Sequence, residues 1–150
     1  MNDINKILIY KVDPNIPTPN VAHPGEDLGI DLYSGNNYTV NARSYQYIDT
    51  GIRISFPSGI GGMIANRSSK GYKSHLLVYP GIIDSGYTGQ LLLKMYNLSD
   101  EPIYIKQYEK IAQLILLPVY AFPIEVVDLD TFESTDISNR KTNGFGSTGS

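Results

Sequence analysis

The chain has 150 residues, enough for one domain that buries roughly 70% of its unfolded surface. It is 41% hydrophobic and 18% charged with a formal net charge of −3, a globular composition without the basic excess of a surface that coats nucleic acid. With no cysteine and only two histidines, His23 and His75, it has no disulfides, thiolate nucleophiles or cysteine-ligated zinc, and little material for a His-rich metal site or a Ser-His-Asp triad.

Apolar, β-branched runs are short and punctuated by Gly, Pro, Asn and Ser. In chain order the expected strands are 6–12, 38–42, 45–56, 62–66, 76–83, 90–98, 103–106, 111–119 and 124–127. Alternation is clear in the third, where Ile52, Ile54 and Phe56 point one way and Arg53 and Ser55 the other. No apolar i, i+3, i+4, i+7 pattern lasts three turns, and the 12 tyrosines suit pleated, half-buried surfaces. Many short strands with regular turn signals predict an all-β sandwich, barrel or jelly roll with at most one short helix, over 68–75. The last stretch turns polar and Gly-rich, so the expected organisation is a β domain over 1–133 and a mobile arm over 134–150. No apolar run approaches the roughly 18 residues of a membrane span, and Met1–Asn5 lacks a signal n-region. The expectation is a cytoplasmic chain without membrane contact, in which the sequons at Asn37, Asn66 and Asn97 are coincidental.

Five segments concentrate Gly, Asp, Ser and Arg. In Asp27-Leu28-Gly29-Ile30-Asp31-Leu32-Tyr33-Ser34, a glycine permits close backbone approach beside a carboxylate held on a packed strand; a plain turn and strand would read the same. Asn66-Arg67-Ser68-Ser69-Lys70-Gly71-Tyr72-Lys73 places a guanidinium, hydroxyls and a lysine directly after a strand, as an anion site does, or as a capped helix with a solvated basic face. In Pro80-Gly81-Ile82-Ile83-Asp84-Ser85-Gly86-Tyr87-Thr88-Gly89, two β-branched residues lead into Asp84 and a Gly-rich hairpin with one aromatic; an ordinary hairpin with an exposed Tyr would read the same. Hairpin N–H and C=O groups can pair with the edge of a flat base and leave polar groups unpaired with the wrong one. Tyr108-Glu109-Lys110-Ile111-Ala112-Gln113-Leu114-Ile115 is a strand with one amide among apolar residues, a pattern that a Gln satisfying neighbouring backbone also gives. Arg140-Lys141-Thr142-Asn143-Gly144-Phe145-Gly146-Ser147-Thr148-Gly149 joins phosphate-friendly N–H groups and hydroxyls to one stackable ring; by itself it also passes for a flexible polar tail.

The order and content of these segments resemble the homotrimeric dUTPase family, the deoxyuridine triphosphate nucleotidohydrolases, from about Pro24 to Ser150. The resemblance implies a distorted β-clip jelly roll that assembles as a trimer, each active site built from three chains. It implies that Asp84 activates the water that attacks the α-phosphorus of dUTP, giving dUMP and pyrophosphate, which limits uracil in DNA and supplies dUMP for dTMP synthesis. Tyr87 would lie beneath the sugar and exclude a 2′-OH, and the hairpin backbone around Pro80–Leu91 would read uracil; Gly81, Ile82, Ile83, Gln90 and Lys94 are the further substrate-binding positions. Arg67 and Gln113 match catalytic positions, and Ser68 and Ser69 belong to the phosphate segment. Asp31 would meet Mg²⁺ through water, the ion itself being held by triphosphate oxygens. Phe145 would stack on the base while Arg140, Gly146, Ser147 and Thr148 close on the γ-phosphate.

Departures from the family pattern are Asn66 for Pro, Lys70 for Leu, His75 for Gly, Gly86 for an acidic residue, and Lys141 and Asn143 for Gly. Two alternatives stand beside this reading. One is a regulatory nucleotide-binding protein using the same pocket. The other is a dCTP deaminase, whose proton-shuttling Glu is replaced here by Lys94.

Overall fold

Ile48, Thr50, Ile52 and Ile54 all point inward from one long strand, β4 (Tyr45–Ser55), while Tyr45, Tyr47 and Arg53 stay exposed. That period of two, legible in the sequence, makes β4 the centre of one sheet. The computed structural model describes residues 6–68 and 74–135. In chain order the other strands are β1 (Leu8–Lys11), β2 (Gly29–Tyr33), β3 (Tyr38–Val40), β5 (Ile60–Ala65), β6 (Leu76–Val78), β7 (Ile82–Ile83), β8 (Gln90–Asn97), β9 (Ile103–Ile105) and β10 (Lys110–Pro118).

Three antiparallel sheets result, in the orders β1-β4-β8-β6, β2-β10-β5-β7 and β3-β9. Leu91, Leu93 and Met95 from β8 join the β4 isoleucines, Leu32, Ile64, Ile111 and Leu114 in a single buried cluster between the two large sheets. The result is the all-β, jelly-roll-type architecture expected from the strand spacing. Polar groups that enter this core are fully bonded. Asn97, 1% exposed, donates from Nδ2 to the Val40 and Glu101 carbonyls and accepts at Oδ1 from the Ser99 N–H and hydroxyl. Its sequon is therefore no acceptor site.

The expected strand 76–83 is two strands in two sheets. Tyr79-Pro80-Gly81 separates β6, which pairs with β8, from β7, which pairs with β5. Pro80 has no N–H to offer a ladder, so the chain leaves one sheet there and enters the other. No strand forms at 124–127. Ile124 and Val126 there are 95% exposed, so no burial supports their strand propensity.

The chain divides into two compact units, Met1–Tyr120 and Ala121–Ser150. In the second, helix α1 (Leu129–Thr135) is unexpected from the apolar pattern but capped at its start. The Asp128 carboxylate accepts the Thr131 N–H at 2.8 Å, and this bond holds the Asp128 pKa below the usual carboxylate value. Residues 69–73 of the expected helix over 68–75, and the arm from 136 onward, lie outside the described residues. Among the described residues no helix is long and apolar enough to cross a membrane.

Candidate active site

β10 is the strand on which the site is built, because it lies between β2 and β5 and brings two motifs to one amide. Gln113 stands opposite Asp31 on β2 and opposite Ala65 at the end of β5. Its Nε2 donates to the Asn66 carbonyl at 2.8 Å. A β-carbon on Gly29 would collide with Gln113 Oε1 and stand 2.7 Å from Cδ, so only glycine lets that amide lie flat on β2. Gly29→Ala is expected to drive Gln113 out of place and to destabilise the fold by about 1–3 kcal/mol, the usual scale of overpacking. A thermal melt checks this; an unchanged Tm would show that the amide relocates freely.

The ladder between β2 and β10 slips by one residue between Lys110 and Ala112. A regular register would put Ile111 opposite Tyr33; the slip puts Lys110 there instead, on the face shared by Asp31 and Gln113. Asp31, with only 10% of its side chain exposed, then receives two cations. Arg67 Nε is 2.9 Å from Oδ1 and Lys110 Nζ is 2.8 Å from Oδ2. The bond to Asp31 raises the Lys110 pKa above the ordinary lysine value, so the ammonium persists throughout the neutral range. A cavity of about 350 Å³ opens over this group, lined by Arg67, Ser68, Lys110 and Gln113 on one side and by the 22–29 segment on the other.

The third motif makes a second cavity, of about 310 Å³, lined by Ile64, Gly81, Ile82, Ile83, Asp84, Tyr87, Gln90, Leu91 and Leu92. Asp84 sits exposed at its turn, where the Tyr87 N–H donates to the Asp84 carbonyl at 3.0 Å. Tyr87 is fixed at its far end by donating its hydroxyl to the Gln90 carbonyl at 2.7 Å. The Gln90 side chain is in turn held by both Asp49 carboxylate oxygens, at 2.6 and 2.7 Å.

The two cavities share no lining residue. Ile83 pairs with Gly62, so Asp84 stands level with Gly61, six residues before Arg67. At about 3.3 Å per extended residue, the two motifs lie roughly 20 Å apart along β5. Within one chain, then, the structure gathers Asp31, Arg67, Ser68 and Gln113 at one place and Gly81–Asp84, Tyr87 and Gln90 at another.

Lys94 lines neither cavity; its ammonium lies 4.2 Å from the Tyr45 ring centroid, 5.2 Å from Tyr96 and 5.8 Å from Tyr47. A hydrogen bond to Tyr96 raises its pKa above the ordinary lysine value. Ser69, Arg140, Phe145, Gly146, Ser147 and Thr148 lie outside the described residues. Sequence reading missed Lys110, whose position depends on the register slip, and the cavity wall at His23 and Asp27. Two departures acquire reasons. Asn66 Oδ1 accepts the Val78 N–H at 2.7 Å, tying the phosphate segment to β6, and His75 has a φ of 53°, the region that glycine enters freely. Among the described residues no group of three or more His, Cys, Asp or Glu side chains could hold a bare metal ion.

A family model described as dUTPase matches residues 15–149. The chain is 37% identical to the deoxyuridine 5′-triphosphate nucleotidohydrolase of Rhodococcus erythropolis, across 99% of this chain and 89% of that one. It is 30% identical to the fowlpox virus protein of the same name, across 97% and 99%. Among solved structures it resembles the dUTPase of Staphylococcus bacteriophage 80alpha with dUPNHPP, with a TM-score of 0.86 and 25% identity over 97% of this chain and 99% of that one. That structure's description states that phage dUTPases control transfer of virulence genes by a G protein-like mechanism.

Proposed function

The chain belongs to the dUTPase family, and on that premise we propose that it hydrolyses dUTP to dUMP and pyrophosphate. The observation that carries the reading is the character of the two cavities. One sets two phosphate-binding cations, Arg67 and Lys110, on the Asp31 carboxylate; the other has apolar walls, an edge of hairpin backbone and a single carboxylate.

In this mechanism the hairpin backbone from Gly81 to Leu91 pairs with the uracil edge. Tyr87, locked at both ends, supports the deoxyribose and leaves no room for a 2′-OH. Asp84 takes a proton from water as the water oxygen bonds to the α-phosphorus and the bond to the bridging oxygen breaks, releasing pyrophosphate. Arg67, Ser68 and Gln113 orient the phosphate chain, while Arg140, Phe145, Gly146, Ser147 and Thr148 close over it. Positioning and charge stabilisation supply most of the acceleration.

Mg²⁺ carried on the triphosphate oxygens would offset the charge of the phosphates. Both Asp31 oxygens are engaged by cations, which suits an outer contact to a hydrated ion better than direct ligation. The separation of the two cavities in one chain suits a site that is shared between chains. The exposed apolar residues beside the hairpin, Ile82 at 70%, Leu92 at 61% and Tyr79 at 59%, suit burial in such a homotrimer.

The test is release of pyrophosphate and ammonia from dUTP, dCTP, dTTP and UTP with Mg²⁺. Pyrophosphate from dUTP alone is the expected result; ammonia from dCTP would replace this reading with deamination. Regulation through the same pocket is the second reading, favoured by the description of the staphylococcal phage protein. Saturable dUTP binding without turnover would select it.

A further inference from the structure

One wall of the cavity at Arg67 and Lys110 comes from the stretch before Asp31, which none of the catalytic assignments uses. The loop from Asn20 to Asp31 is clipped at its ends by the Asp31 N–H donating to the Asn20 carbonyl at 2.9 Å. Inside it, the Glu26 and Asp27 N–H groups both donate to the His23 carbonyl at 3.0 Å. Asp27 Oδ2 accepts the His23 backbone N–H at 3.1 Å and lies 2.8 Å from His23 Nδ1. This bond is the largest cause that lowers the Asp27 pKa. His23 and Asp27 line the cavity with Arg67, Ser68 and Lys110, and their side chains are 70% and 45% exposed.

A carboxylate only accepts hydrogen bonds, so Nδ1 carries the proton and Nε2 is left for a ligand. On a neutral ring Nε2 is a lone pair that gives a phosphate nothing; on an imidazolium it is a charged donor. The charges lining the cavity sharpen the contrast. Arg67 and Lys110 are cancelled by Asp31 and Asp27, so protonation of His23 is what makes the lining net positive. Glu26, the remaining charge on the loop, does not line the cavity.

We propose that His23 is a pH-dependent phosphate-binding residue of this cavity, donating from Nε2 to the outer phosphates of a polyphosphate held by Arg67 and Lys110, with Asp27 as its positioning residue. This rests on reading the cavity as the triphosphate site. His23 and His75 are the only imidazoles in the chain, so an NMR titration of the full-length protein resolves both. With Mg²⁺ and the α,β-imido analogue of dUTP, the His23 midpoint should move to higher pH while that of His75 stays; dUMP, lacking outer phosphates, should move neither. By linkage, a tenfold preference of the analogue for the protonated form would appear as wild type gaining about tenfold in affinity over His23→Gln between pH 8 and pH 5.5. Asp27→Asn, which frees the imidazole ring, should shrink the analogue-induced movement of the His23 midpoint. An analogue that binds without moving the His23 midpoint, or that binds His23→Gln with the wild-type pH dependence, overturns the proposal alone. Failure of wild type to bind the analogue at all overturns the triphosphate reading, and the proposal with it.

Discussion

Asp84→Asn should lower kcat for dUTP by about 10²–10⁴-fold while affinity for the imido analogue stays within about tenfold. The substitution keeps the size and hydrogen-bonding reach of the side chain and removes only its ability to take a proton. The turn is not at stake, since its bond runs from the Tyr87 N–H to the main-chain carbonyl of residue 84. Nor is the fold, because the carboxylate is exposed and packs nothing. Loss of turnover with retained binding is therefore the signature of a missing base, read by steady-state kinetics beside calorimetric titration of the analogue. A variant that turns over within a few-fold of wild type would place the base elsewhere.

Residues whose role depends on local pattern are legible in the sequence alone. The alternation of Ile48, Thr50, Ile52 and Ile54 sets the face of β4, and a lone amide among apolar residues marks Gln113. Asp84 stands out because two β-branched residues run into it and a Gly-rich turn follows. What stays hidden depends on pairing across the sheet. Nothing in Tyr108–Gln113 announces that Ile111 is the extra residue of a slipped ladder, yet that slip alone carries Lys110 to Asp31. The two-sheet path of 76–83 has a local signal in Pro80, which a continuous apolar run outweighs. Helix α1 has one too, in Asp128 three residues before Thr131, but seven residues are too few for a helical period to declare itself. The division of the catalytic residues between two cavities is a matter of strand register, and no spacing along the chain encodes it.

That division carries the second large effect, which concerns mixtures of chains. Arg67→Ala should abolish most activity by removing a charge-assisted contact to phosphate, while Lys110 continues to satisfy Asp31 and preserves the fold. Asp84→Asn should be nearly inactive for the reason already given. If a working site takes Asp84 from one chain and Arg67 from another, equal amounts of the two variants, dissociated and reassembled together, should recover about a quarter of wild-type activity, since each site draws its two chains independently. Chains carrying both substitutions, mixed with either single variant, should recover nothing, which separates complementation from simple reactivation. The geometry favours recovery: about 20 Å of extended chain, the rest of β5 and the two residues beyond it, lies between the Asp84 turn and Arg67, a gap that no side chain of either motif spans. Activity of the mixture that stays at the sum of its two components would mean that each chain folds both cavities onto a single nucleotide by itself.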